Sequence, residues 1–185
     1  DESALFFGRD RYPVALAERV PTRPLVARVG ASGSGKSSLI NAGLLPALAS
    51  GLYDTAGGGW TVLRLQPGAN PLASLAQGLL RLSGAGEDAL AVEGRLRQSR
   101  HALRTWLAGR LAGARAPVLV VVDQFEEVFR YRRTLRGTEG WQDDVEHFTG
   151  LLLEASAGAE PQARVLLALR GEFVASCAEI AGLAE

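Results

Sequence analysis

Four short apolar runs punctuate the chain, at residues 25–29, 60–65, 118–122 and 165–169, each of strand length and poor in turn formers. The third, Val118-Leu119-Val120-Val121-Val122, is apolar without alternation, which is how a strand buried on both faces reads. Between the runs, apolar residues recur at helical spacing. Strands alternating with helices predict βαβ units and a mainly parallel sheet covered on both sides, an α/β three-layer sandwich. The first helix is predicted over 36–48, running through Gly43 at some cost. A Gly-rich connection, 47–59, ends in Gly57-Gly58-Gly59. Pro67-Gly68-Ala69-Asn70-Pro71 reads as a turn, and Pro71 suits the first position of a helix over 72–82, where its missing N–H costs little. Residues 83–88 break that helix. From 89 to 111, Val92, Leu96, Leu103, Trp106 or Leu107, and Leu111 keep one apolar stripe, which predicts a single long helix.

Between the first strand and the first helix lies Gly30-Ala31-Ser32-Gly33-Ser34-Gly35-Lys36-Ser37, a complete phosphate-binding loop in the strand–loop–helix setting that the motif requires. Gly30, Gly33 and Gly35 let the backbone curl so that several N–H groups point inward at phosphate oxygens. The positive end of the helix adds to the attraction. Lys36 is expected to reach the β- and γ-phosphates of a bound triphosphate and the Ser37 hydroxyl to hold Mg²⁺. Ser32, Ser34 and Ser38 are expected to line the same site.

Two further strand ends complete the expected site. The run 118–122 ends in Asp123, and a strand-end aspartate is how P-loop NTPases place a carboxylate beside magnesium. Asp123 is therefore expected at the metal, through a coordinated water. Many ATPases carry a glutamate at the next position, but here it is Gln124, and the acids come later as Glu126 and Glu127. Either could swing back toward the γ-phosphate and activate water, with Glu127 slightly preferred over Glu126. The run 165–169 ends in Arg170, at the carboxyl edge where open α/β sheets bind ligands. Its guanidinium is expected to read the γ-phosphate.

Composition adds bounds rather than chemistry. A length of 185 residues suits one domain, 1–185, and 47% apolar with 22% charged residues is an ordinary globular mix. Twenty basic residues offset twenty acidic ones, so no overall field recruits nucleic acid or an anionic membrane. Arg95, Arg97, Arg100, Arg104 and Arg110, mostly off the apolar stripe, read accordingly as a solvated face balanced by acids elsewhere. The longest apolar run is far too short to span a bilayer, and no signal segment opens the chain. One cysteine, Cys177, rules out an internal disulfide and suits a reducing, cytoplasmic setting; it reads as a packing residue. His101 and His147 stand apart from other metal ligands, so no zinc site is predicted. There is no methionine, even at position 1, and the chain is expected to be a piece of a larger multidomain protein.

These pieces in this order resemble the STAND class of signal-transduction NTPases, and within it the bacterial branch often fused to WD-type β-propeller repeats. The resemblance rests first on Phe6-Phe7-Gly8-Arg9-Asp10 and on the loop continuing through Ser38-Leu39 to Ala42-Gly43-Leu44-Leu45-Pro46. It extends to Trp60 with Gln66-Pro67-Gly68-Ala69-Asn70-Pro71-Leu72, to Asp123-Gln124-Phe125-Glu126-Glu127-Val128-Phe129, and to Leu169-Arg170-Gly171-Glu172-Phe173. The spacing of acids after Asp123 is also similar to that of the NACHT group. What the resemblance implies is a P-loop NTPase core of the ASCE type, stopping before its last strand, that binds ATP or ADP with Mg²⁺. Phe7, Gly8 and Arg9 would fold over the adenine, and Arg170 would sense the γ-phosphate. Nucleotide state would control self-association and an attached effector, with effector and repeat sensor domains fused outside this chain.

Two other readings stay open. Arg130-Tyr131-Arg132-Arg133-Thr134-Leu135-Arg136 could form the basic lid of a small-molecule kinase, although it reads better as an exposed helix end whose cations suit the C-terminal dipole, and Glu126 and Glu127 suit water activation better. A nucleotide-gated interaction module that barely turns over would differ from an ATPase only in rate.

Overall fold

The computed structural model describes residues 11–51, 59–84, 86–110, 116–134, 141–158 and 161–183. At its centre is β3, Val118–Val122, in which every residue is buried. β2 (Thr61–Leu65) and β4 (Arg164–Arg170) pair with β3 on either side, and β1 (Leu25–Gly30) pairs with the far side of β4. All three pairings are parallel, giving the order β1-β4-β3-β2 among the described residues. Parallel neighbours need long crossovers, and the predicted helices supply them.

Pleating sends alternate residues of each strand to opposite faces. Val118, Val120 and Val122 of β3 join Val165, Leu167 and Leu169 of β4 in one apolar cluster, while Leu119 and Val121 join Leu166 and Ala168 in another. The second cluster is closed by α1 (Arg11–Arg19), through Leu16 and Ala17, and by α2 (36–49), through Ile40, Leu44 and Leu48. The first and larger cluster is closed by α3 (Pro71–Ser83), α4 (Ala89–Gln98), α5 (Ala102–Arg110), α6 (Glu127–Thr134) and α7 (Trp141–Ser156). After β4 come a 3₁₀ turn, Gly171–Phe173, and the short helix α8, Val174–Cys177. The α/β three-layer sandwich expected from the hydrophobic pattern is the fold that forms.

Local chemistry sets most boundaries where the sequence puts them. Asn70 caps α3, its side chain accepting the Ala73 N–H; Pro71 occupies the first turn, and Gly84 closes the helix at φ +61°. The single helix predicted over 89–111 is instead two helices, α4 and α5, parted at Ser99, whose backbone is extended (φ −157°, ψ 141°). The Ser99 hydroxyl accepts the His101 N–H at 3.1 Å and starts the next helix. Leu96 and Leu103, both buried, stand about two helical turns apart, so the apolar stripe stays in phase across the break and hides it. The helix α2 also departs from uniformity. Lys36–Ser38 and Leu45–Ala49 are α-helical, but Leu39–Leu44 is π-helical, and the Leu45 N–H bonds the Ile40 carbonyl. Pro46 has no N–H to give Ala42, which removes one of the bonds that would hold an α register there. No helix among the described residues is long and apolar enough to cross a membrane.

Candidate functional site

The carboxyl ends of β1, β3 and β4 and the start of α2 meet at a cleft of about 400 Å³. Its walls are residues 32–38 of the loop and α2, Asp123, Gln124, Glu126, Glu127 and Arg130 from the segment after β3, and Arg170 from β4. Two glycines shape the loop by conformation: Gly33 and Gly35 take φ values of +70° and +77°, which any side chain would strain. Gly30 is constrained by space instead, since a Cβ there would stand 2.6 Å from the Ser34 Oγ. The Lys36 ammonium donates to the Gly30 and Ala31 carbonyls at 3.0 and 2.9 Å, bridging the mouth of its own loop.

Asp123 lies just past β3 and is 2% exposed. Its N–H continues the ladder to the Leu65 carbonyl at 3.0 Å, which fixes the residue to the sheet. Its Oδ1 accepts from the Ser37 hydroxyl at 2.9 Å and from the Gln124 N–H at 3.0 Å. Its Oδ2 accepts from Arg64 Nη2 at 3.1 Å. The two residues expected to share a metal are thus side by side. No group of three or more His, Cys, Asp and Glu side chains is placed to hold a metal among the described residues. The available donors are one hydroxyl and one carboxylate, hard oxygens that fit magnesium when phosphate oxygens and water complete its shell.

The segment after Asp123 owes its path to Gln124, the one non-glycine residue at positive φ (+54°) among those described. That reversal drops Phe125 into the core, where its N–H bonds the Ala168 carbonyl at 2.8 Å, and returns Glu126 and Glu127 to the cleft. The two acids are held from opposite sides. Glu126, 6% exposed, accepts the Arg170 N–H at 3.2 Å, whereas Glu127 accepts the Gly68 N–H at 2.8 Å from the turn after β2. Arg170 pairs in register with Gly30, so Glu126 is anchored on the β4 side, next to the strand that leads into the phosphate loop, and Glu127 on the β2 side. The Arg170 guanidinium meets Glu172 at 3.3 Å beside the same cleft.

Of the residues singled out in the sequence, Ser32 to Ser38, Asp123, Glu126, Glu127 and Arg170 all line this one cleft. Phe7, Gly8 and Arg9 lie outside the described residues. Two residues were missed, Gln124 and Arg64. Gln124 lines the cleft and was noted only for not being glutamate; Arg130, named only as part of a possible kinase lid, lines it too. Arg64 contacts Asp123, and its only sequence signal was a charge set between two buried leucines of a strand.

Several residues given no role in the site have local partners. Arg95 pairs with Glu87, and Arg97 pairs with Glu93 and Asp144, so these helix cations face local acids. His101 contacts Glu154 and His147 contacts the Leu96 carbonyl. Cys177 packs half-buried against the larger core, and burial pushes its thiol up from the ordinary cysteine range.

A glycine loop between a strand and a helix, with an aspartate from another parallel strand turned onto its serine, defines the P-loop NTPase class. The family model for novel STAND NTPase 1 matches residues 1–185, and the chain belongs to that family; it is a STAND NTPase domain. No curated protein and no solved structure matches it.

Proposed function

We propose that this domain binds ATP with Mg²⁺ and hydrolyses it slowly as a cytoplasmic signalling switch. Nucleotide state governs self-association and the output of effector domains carried elsewhere in the intact protein. The observation that carries the reading is the 2.9 Å contact between Ser37 and Asp123 in a cleft that also holds Lys36. Family membership supports the nucleotide class.

The loop N–H groups of residues 32–37 hold the phosphate chain at the positive end of α2. Lys36 exchanges the Gly30 and Ala31 carbonyls for β- and γ-phosphate oxygens, a swap of neutral acceptors for charged ones. Ser37 and Asp123 hold the magnesium, which supplies neutralisation of the charge on the transferred phosphoryl group. Glu126 takes the proton of the attacking water. Its contact with the Arg170 N–H anchors it on the β4 side of the cleft, next to the strand that leads into the phosphate loop, which favours it over Glu127. Arg170 gives up Glu172 for the γ-phosphate and so distinguishes triphosphate from diphosphate. Phe7, Gly8 and Arg9 close over the base, a role that rests on the family resemblance alone.

One observation favours the kinase alternative: Arg130, the first cation of the basic segment, lines the cleft. The deciding measurement is steady phosphate release from ATP and Mg²⁺ with and without added small-molecule acceptors. Release that needs no acceptor, and that is lost in Glu126→Gln, supports the ATPase. Turnover that appears only with an acceptor assigns the site to a kinase.

A further inference from the structure

Arg64 stands on β2 in register with Val121 of β3. Its neighbours Leu63 and Leu65 point into the larger core, so pleating sends Arg64 to the other face of the sheet, the one that α2 covers. There its guanidinium forks. One arm, Nη2, donates to Asp123 Oδ2 at 3.1 Å, and the other, Nη1, donates to the Asn41 side-chain oxygen. Asn41 lies one turn beyond Ser37 on α2. A single planar group therefore ties the helix that carries Ser37 to the carboxylate that Ser37 touches. The Asp123 carboxylate is almost wholly buried while the Arg64 side chain is 40% exposed, so the charge that most needs a partner is the aspartate's.

We infer that Arg64 is a positioning residue for the metal site: it occupies Asp123 Oδ2 and so turns Oδ1 toward Ser37, with Asn41 holding the fork in place. The inference rests on the reading that Ser37 and Asp123 hold the magnesium. Without Arg64 the carboxylate would be held through Oδ1 alone, by the Gln124 N–H and Ser37, and Oδ2 would have no side-chain partner among the described residues to resist its turning toward an ion beside Ser37. A guanidinium locks that rotation because its two arms are rigidly related, and an ammonium does not. Outer-shell partners of this kind orient ligands without touching the metal.

The test compares affinity for a non-hydrolysable ATP analogue by calorimetry, with Mg²⁺ and with EDTA. The quantity of interest is the ratio of the two affinities, which needs no turnover. In Arg64→Met, which keeps the apolar stem, the ratio is expected to fall by about 10-fold or more while the EDTA affinity changes little. Arg64→Lys should restore only part of it, because one ammonium cannot span Asn41 and Asp123. Asn41→Ala should lower the ratio in the same direction, and adding it to Arg64→Met should cost nothing further. Asn41→Ala leaves the Arg64–Asp123 ion pair intact and carries the test if Arg64→Met fails to fold.

Asp123→Asn separates the two levels of the argument. If it abolishes the magnesium gain but Arg64→Met and Asn41→Ala leave that gain intact or raise it, the role of Arg64 is overturned and the metal site stands. If Asp123→Asn keeps the full gain, the metal assignment falls and the inference falls with it.

Discussion

Ser37 and Asp123 are 86 positions apart in the chain, yet the hydroxyl of one donates to the carboxylate of the other at 2.9 Å. The sheet order explains the meeting. β4 lies between β1 and β3, so the loop after β1 must cross the end of β4 to reach the aspartate after β3. Residues from all three strand ends therefore surround one cleft. Arg170, the last residue of the strand between them, lines the same cleft.

Lys36 is the only lysine in the chain, which makes it both the strongest test and a built-in probe. Lys36→Ala should weaken ATP binding by roughly 100-fold or more in calorimetry, since a charge-assisted contact is worth about 1.5–3 kcal/mol and two phosphates share it. The fold should survive, because among the described residues the ammonium is hydrogen-bonded only to two loop carbonyls. In the unaltered protein, an amine-directed reagent should label Lys36, and ATP with Mg²⁺ should block the labelling. Unchanged affinity in the variant would refute the loop assignment.

The two acids after Phe125 should divide sharply. Glu126→Gln is expected to leave ATP affinity intact and slow phosphate release by about 10²-fold or more, the usual yield of a positioned general base. Glu127→Gln should act mainly on the turn after β2, through the lost Gly68 contact, and cost turnover much less. The sequence alone leans slightly the other way, toward Glu127. If Glu127→Gln proves the more damaging of the two, the geometric preference is reversed.

Where the chemistry is carried by consecutive residues, the sequence is enough: the phosphate loop needs only its spacing and flanking elements to be recognised. β3 is equally plain, since its unbroken apolar run has no other home than the middle of a parallel sheet. What escapes is whatever depends on strand order or on a single dihedral. Arg64 acquires meaning only once β2 is known to lie beside β3. The choice between Glu126 and Glu127 turns on the positive φ of Gln124, which no periodicity reports. The break at Ser99 is silent for the opposite reason, because both halves keep the same apolar phase.

Arg170 should be read through nucleotide discrimination rather than overall affinity. Its guanidinium sits at the cleft in contact with Glu172, whose side chain is 60% exposed and easily displaced. Arg170→Ala should reduce the preference for ATP over ADP by about tenfold, with ADP affinity little changed. Glu172→Gln should move the preference the other way, because the arginine no longer has a competing carboxylate. Equal losses for ATP and ADP in Arg170→Ala would mean that the residue supports the cleft without sensing the γ-phosphate.

The left-handed backbone at Gln124 predicts an unusual stability pattern. A side chain at φ +54° carries a cost of about 1–2 kcal/mol that glycine does not. Glycine in turn enlarges the unfolded ensemble, by about 0.4–1 kcal/mol. Gln124→Gly should therefore be neutral or stabilising by up to about 1.5 kcal/mol, whereas a β-branched residue, as in Gln124→Val, should destabilise by about 1–3 kcal/mol. Urea midpoints at constant m-value give both numbers directly. A clearly destabilised Gln124→Gly would show that the side chain, not the backbone, holds this turn. The glycine variant also isolates the side chain's part in the cleft. If the backbone reversal is all that Gln124 provides, Glu126 keeps its place against the Arg170 N–H and phosphate release is retained.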